Sequence, residues 1–141
     1  MAYFMQPINH TTATLTLNAD SHAGNVVTLN KADGVTVTLP ASSGKGDVYT
    51  VFVGTTLTSN GVIQVANSTD IIQGGVSIST DAAGVTHLTA ATTDTITMNG
   101  STTGGLKGSY VRVTDVSSGI WMLEGFLVST GAEASPFSAA V

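Results

Sequence analysis

The sequence predicts an all-β protein: an antiparallel β-sandwich or barrel of about ten short strands, with an extended arm at each end. Apolar and polar residues alternate with period two in short runs, turn-forming residues separate these runs, and no segment has the period of an amphipathic helix. This pattern is typical of antiparallel sheets rather than of strands joined by helical crossovers. Leu-Asn pairs at 17–18 and 29–30 predict two similar strand–turn units rather than a solenoid, because their spacing is not sustained.

The clearest alternation lies at residues 35–39, where three apolar residues face one side and two threonines the other. Threonine suits an outer face because its β-branch favours extended backbone while its hydroxyl stays hydrated. Similar runs predict further strands at residues 12–17, 26–29, 61–66, 76–79, 85–88, 94–98, 110–114 and 126–128. Turns are expected at Asn60-Gly61 and Ser118-Gly119, since glycine adopts positive φ at low cost.

Two runs, residues 48–53 and 120–123, are apolar on both faces. They predict central strands, or strands with one face in the core and the other against a neighbour. Trp121, the only tryptophan, lies in the second run. Alternation places Trp121 and Leu123 on one side and Met122 on the other, so both sides need to be covered. We therefore expect Trp121 to be a buried structural anchor rather than a platform for a sugar.

The pattern divides the chain into an N-terminal arm (residues 1–11), a single β domain (12–130) and a C-terminal tail (131–141). Neither end shows alternation, yet each carries apolar side chains that are costly to leave in water. We expect these side chains to bind a neighbouring subunit; they are Tyr3, Phe4, Met5, Ile8 and Phe137.

The charge content is low and the net charge is negative. Charged residues make up 9% of the chain, against about 25% in a typical soluble domain, so surfaces can be buried against neighbours with little desolvation of ions. This composition predicts an oligomer. The net charge of −5, with basic residues scattered along the chain, argues against nucleic acid as a partner.

Nothing in the sequence predicts contact with a membrane. No stretch approaches the apolar length of a membrane span. The first seven residues lack the basic and apolar regions of a signal peptide. We therefore expect synthesis in a cytoplasm.

The sequence contains no recognisable catalytic or ligand-binding motif. His10, His22 and His87 lack the spacing of zinc-binding motifs, and no serine lies in a G-x-S-x-G elbow. The glycine-rich segments 44–47 and 100–105 do not match a phosphate-binding loop. These observations predict a non-enzymatic protein with no catalytic residues, no metal and no cofactor.

Several strand-and-turn motifs share a pattern with a known family. They are LTLNADSHAG at 15–24, VTVTLPA at 35–41, VGTTLTSN at 53–60, IQVAN at 63–67, GIWMLEG at 119–125 and GAEASPF at 131–137. Through these motifs the chain, from residue 12 to about residue 137, resembles the small head-decoration, or capsid cement, proteins of tailed bacteriophages. The resemblance implies a homotrimer on threefold and quasi-threefold positions of an icosahedral shell. Its partner would then be the major capsid protein, and its location the capsid surface of a virion assembled in the host cytoplasm. The apolar side chains of the two end segments would then bind either the capsid or a neighbouring subunit.

Two functions stay open at this stage. The first is a capsid-stabilising decoration protein that bridges neighbouring capsid subunits. The second is a tail-fibre, baseplate or adhesin-type module, which would have the same β composition but would expose aromatic side chains at a loop tip for receptor binding.

Overall fold

The computed structural model describes residues 6–141, so the predicted binding residues Tyr3, Phe4 and Met5 lie outside the described part of the chain. Within that part, the protein is mostly β, as predicted, with twelve strands and one short helix, α1 (Ala19–His22). The strands are β1 (Ile8–His10), β2 (Thr14–Thr16), β3 (Val26–Leu29), β4 (Val35–Thr38), β5 (Val48–Val53), β6 (Gly61–Gln64), β7 (Ile71–Ser79), β8 (Gly84–Leu88), β9 (Thr95–Met98), β10 (Tyr110–Ser117), β11 (Ile120–Val128) and β12 (Phe137–Ser138).

The strands form a sandwich of two sheets. Sheet A has the order β1-β3-β5-β10-β11-β7-β8, and sheet B has the order β12-β9-β6-β4-β2. The first six strands alternate between the sheets, so β1, β3 and β5 pair in parallel in sheet A. In the same way β2, β4 and β6 pair in parallel in sheet B. The first half of the chain therefore winds through the two sheets in successive coils.

The sheets are mixed, where the sequence predicted antiparallel pairing. Half of the pairs between the described strands are parallel, including β11 with β7. Alternation of side chains fixes which residues face the core, but it is the same for either strand direction. Each parallel connection among β1 to β6 passes through a strand of the opposite sheet. The helix on this path, α1, has four residues, which is too short to show a helical period in the sequence.

The second half of the chain contains the β10–β11 hairpin, which closes at Gly119 with a φ of +82°. The two predicted runs 120–123 and 126–128 are joined into the single strand β11. Gly125 lies between them, and a Cβ at this position would come within 2.6 Å of the Tyr110 carbonyl oxygen. Glycine here allows the close approach of two backbones and does not end the strand.

Each predicted end segment contributes an edge strand. In the N-terminal segment, β1 pairs with β3 and sets Ile8 opposite Val27. In the C-terminal segment, β12 pairs with β9 and sets Phe137 opposite Ile96. Both Ile8 and Phe137 pack against the hydrophobic core of their own domain.

The core lies between the inner faces of the two sheets. Sheet A contributes alternate residues such as Val51, Val113 and Trp121, and sheet B contributes Val37 and Ile63. All are 3% exposed or less. Burial of side chains of this size stabilises the fold by about 1.5–3 kcal/mol each.

Candidate interaction surface

The outer face of sheet A carries a row of aromatic side chains that run across three neighbouring strands. Tyr110 of β10 lies opposite Phe52 of β5 on one side and opposite Phe126 of β11 on the other. Tyr110 and Phe126 are each 38% exposed, and Phe52 is half-buried. We call these three residues the aromatic row. Residues directly opposite each other in a sheet have Cβ atoms about 4.5–5.5 Å apart, so the three side chains lie side by side on one face of the sheet.

Alternation along the strands explains why the row faces outward. The neighbours of Tyr110 and Phe126, Val111 and Leu127, are fully buried and point into the core. The row residues therefore point away from the core on the same strands. An outer face normally carries polar side chains, so large apolar side chains in register on this face mark a surface that can be covered.

The outer face continues below the row with paired charges and a methionine. Arg112 on β10 donates to Glu124 on β11 at 3.0 Å, and both side chains are at least half exposed. A pair this exposed contributes little to stability, but it leaves the face close to neutral. Two residues further along the hairpin towards its turn, Met122 lies opposite Thr114 and is 44% exposed.

A buried aspartate at the turn end of β10 binds the loop of residues 43–45 to the sheet. Asp115 of β10 is 2% exposed. Its carboxylate accepts hydrogen bonds from the backbone N–H groups of Gly44 at 2.7 Å and Ser43 at 3.0 Å. Burial acts to raise the pKa of Asp115, but these N–H donors outweigh it and hold that pKa below its ordinary value. The ionised carboxylate thus clamps the 43–45 loop against β10.

A second buried aspartate holds the C-terminal tail. Asp94 accepts hydrogen bonds from the backbone N–H of Ala140 at 2.8 Å and from the hydroxyl of Thr95 at 2.7 Å. Burial acts to raise the pKa of Asp94, while these donors lower it to below its ordinary value. Together with β12, this contact places Phe137 on the chain's own sheet B.

Trp121 is 1% exposed and lies in the core, as expected for a structural anchor. Leu123 is buried on the same side of β11. The expectation that both sides of this strand are covered does not hold within the chain, because Met122 on the other side is exposed. The predicted burial of Trp121 is therefore confirmed, whereas the outer face of β11 is open within the chain.

The structure separates the residues that the sequence grouped as binding residues. Ile8 lies on the edge strand of sheet A, and Phe137 lies on the edge strand of sheet B. The aromatic row was not predicted as a site. The apolar face of residues 48–53 signalled Phe52, but Tyr110 and Phe126 become neighbours only through strand register, which a single sequence does not reveal.

The described residues hold no cluster of side chains that suggests a catalytic or metal site. Among residues 6–141, no three His, Asp or Glu side chains converge on a possible metal position, and the surface has no pocket. The ring of His22 accepts a hydrogen bond from the Asn18 N–H at 3.1 Å at the start of α1.

Among residues 6–141, no helix is long and apolar enough to cross a membrane.

Comparisons of the chain with protein-family models, with curated proteins and with solved structures find no match.

Proposed function

We propose that this protein is a structural virion protein that binds the outer surface of an icosahedral phage capsid as a trimer and cements it. The observation that carries the proposal is the aromatic row of Phe52, Tyr110 and Phe126 on the outer face of a rigid sandwich. The resemblance of the strand-and-turn motifs to capsid cement proteins supplies the partner, the major capsid protein. The activity is adhesion between proteins and not catalysis.

The mechanism is geometric. A trimer that touches several capsid subunits turns separate weak contacts into one multivalent attachment. Each aromatic side chain that becomes covered buries about 150–250 Å². The low charge of the chain supports this role, because few ions lose their hydration when surfaces meet. Bridging the seams between capsid subunits raises the cost of separating them under the pressure of packaged DNA.

The alternative is a tail-fibre, baseplate or adhesin-type module that binds a receptor. That function calls for aromatic side chains at a loop tip. The exposed aromatic side chains of the described residues, Tyr110 and Phe126, lie instead on paired strands in the middle of a sheet. A sheet face suits a broad protein surface better than a small receptor group, so this placement favours the cement function.

The two functions are separated by imaging labelled protein on purified phage particles. The cement function gives a regular lattice of label over the head. Label at the tail would instead contradict the cement function and support the receptor-binding function. A matched sample in which Leu88, exposed at the edge strand β8, is changed to Ser controls for adhesion through any exposed apolar residue. This variant is expected to decorate heads like the wild type.

A further inference from the structure

We propose that two copies of this chain join edge to edge through β8, the strand at one edge of sheet A, with the two Thr86 residues facing each other across a two-fold axis. The two β8 strands pair antiparallel, so that sheet A continues from one copy into the other. The inference goes beyond the proposed function and does not rest on it, because the contact uses neither the aromatic row nor the capsid.

The first support is that β8 is an unguarded edge. Natural sheets protect their edges with very short strands, with charged side chains or with proline. The other three edge strands, β1, β2 and β12, have two or three residues each. In contrast, β8 has five residues, and none of them is Lys, Arg, Asp, Glu or Pro. Its Val85 and Leu88 are 43% and 74% exposed, so the edge also carries apolar surface.

The second support is the direction of the backbone groups of β8. Among the described strands, β8 pairs with β7 alone. The Thr80 N–H donates to the carbonyl oxygen of Ala83, the residue before β8, at 2.8 Å. Because hydrogen-bonded pairs alternate along antiparallel strands, every second residue after Ala83 points its groups at β7. The residues between them point their N–H and C=O groups outward, and they are Gly84, Thr86 and Leu88.

The third support selects a second copy as the occupant of this edge. Antiparallel pairing of two β8 strands centred on Thr86 sets Gly84 of each copy opposite Leu88 of the other. This register gives a partner to every outward N–H and C=O group of both strands. A register centred on Gly84 or on Leu88 would instead carry the pairing past one end of β8. The strand is therefore complementary to its own copy in one register.

The side chains fit the same register. Leu88 is the most exposed of the large apolar side chains of the described residues, and the residue opposite it in the partner copy is Gly84, which has no side chain to fill that position. On the other face Val85 lies beside the partner's His87. At the centre, the two Thr86 side chains form a cross-strand pair of a kind that stabilises sheets.

The two-fold symmetry brings each residue near its own copy, so a charged edge would repel itself. The lack of acidic and basic side chains other than His87 on β8 removes this obstacle. Such a contact is isologous, with the same surface on both copies, and it is therefore different from the contact that closes a ring of three. Addition of a strand to an open sheet edge is a common mode of protein recognition.

Cysteine cross-linking tests the register directly, because the chain has no cysteine of its own. Residues opposite each other in a hydrogen-bonded pair have Cα atoms about 5.5 Å apart, a separation that a disulfide spans. T86C should therefore form a disulfide between two copies under mild oxidation. The matched control is A82C. Ala82 is exposed in the turn before β8, and pairing centred on Thr86 holds the two Ala82 residues at least about 20 Å apart.

We expect T86C to give at least five times the cross-linked yield of A82C. Equal yields would overturn the inference. An edge that accepts only a strand of another protein would also give no disulfide above the control, and that result would refute the second copy as the occupant.

Light scattering on charged variants gives a second measurement. Thr86 is exposed, so T86K and T86E should fold, which circular dichroism and the melting temperature check. Each variant places like charges opposite each other on the axis. At equal concentration, its mass should be at most half that of the wild type, whereas A82K should keep the wild-type mass. An equal mixture of T86K and T86E should recover the association. A folded T86K with the wild-type mass would contradict the contact.

The outcomes also distinguish this inference from the proposed function. A T86C disulfide together with no lattice on phage heads would keep the edge contact and remove the cement function. A lattice on heads without the T86C disulfide would remove the edge contact only.

Discussion

Trp121 and Tyr49 pack edge to face in the core, with ring centroids 5.8 Å apart and an interplanar angle of 63°. Both side chains are 1% exposed. Their strands, β11 and β5, are separated by β10, so the two rings join three strands of sheet A on its inner face. The aromatic row lies on the outer face of the same three strands. The buried pair therefore stiffens the strands that carry the candidate surface.

Replacement of Trp121 by Ala is expected to lower the free energy of unfolding by about 3–5 kcal/mol, because it leaves a large cavity in a packed core. Urea denaturation measures this loss. Trp121→Phe is the matched control. Within the described residues the indole Nε1 of Trp121 has no hydrogen-bond partner, so Phe removes volume but no hydrogen bond. We expect this control to lose less than half as much.

Fluorescence tests the same placement in the wild type. A buried indole gives blue-shifted emission that iodide quenches poorly. Red, fully quenchable emission, with an unchanged melting temperature in Trp121→Ala, would put Trp121 on the surface and favour the receptor-binding function.

The strands were predictable because alternation reflects burial, which is local in sequence. Each predicted run falls on an observed strand, and residues 48–53 match β5 from end to end. The short edge strands β1 and β12 were missed because two or three residues cannot display a period. They form because sheets A and B offer open edges, which depends on the rest of the fold.

The candidate surface was less predictable than the fold. Tyr110 and Phe126 are sixteen positions apart in the sequence, and the register of the hairpin brings them together. That register depends on a bulge between Asp115 and Ser117, which shifts the pairing near the turn. The residue types alone do not determine such a shift. The row therefore becomes visible only when the pairing of the strands is known.

Gly74→Ala is expected to destabilise the protein more than Gly46→Ala. Both glycines have positive φ, of +143° and +82°, so each alanine strains the backbone by about 1 kcal/mol. At Gly74 the new Cβ would also lie 2.1 Å from the Leu123 carbonyl oxygen, whereas nothing lies within 4 Å at Gly46. The β7–β11 pair must then move apart. Thermal denaturation of both variants should show at least twice the loss for Gly74→Ala, and equal losses would contradict the close packing of these strands.

Stability is expected to fall in acid as Asp115 and Asp94 are protonated. Both carboxyl groups have a folded pKa below the ordinary value, so they contribute stability above the unfolded pKa of about 3.9. That stability is lost as pH falls through the lower folded pKa. Asp115→Asn should lower stability at pH 7 by about 1–3 kcal/mol, because its amide group faces N–H donors. Its further loss between pH 5 and pH 2 (about the range over which such carboxylates titrate) should be smaller than in the wild type.

Asp81→Asn is the matched control for this pH dependence. Asp81 is exposed in the β7–β8 turn, so its substitution should leave both the stability at pH 7 and the acid profile unchanged. If Asp115→Asn followed the same acid profile as the wild type, the clamp on the 43–45 loop would not depend on the carboxylate charge.

Deletion of residues 1–5 is expected to leave the fold intact and to weaken both self-association and attachment to capsids. The sandwich begins at β1, so a chain that starts at Gln6 keeps every described strand. The melting temperature should match the wild type. Attachment should weaken because Tyr3, Phe4 and Met5 are apolar side chains that we expect to bind a neighbouring subunit or the capsid. Decoration of shells with unchanged affinity would mean that residues 3–5 have no binding role.

Deletion of residues 1–10 shows where the arm ends and the domain begins. It also removes β1, which covers the edge of β3 and buries Ile8 against the core. Full burial of such a side chain contributes about 1.5–3 kcal/mol. Ile8 is half-buried, so its loss should cost less than this, and this variant should melt a few degrees lower than the chain that starts at Gln6. Equal melting temperatures for the two deletions would mean that β1 adds nothing to stability. The attachment measured for the longer deletion separates the two roles: it should be no weaker than for the shorter one at temperatures where both are folded, because residues 3–5 are missing from both.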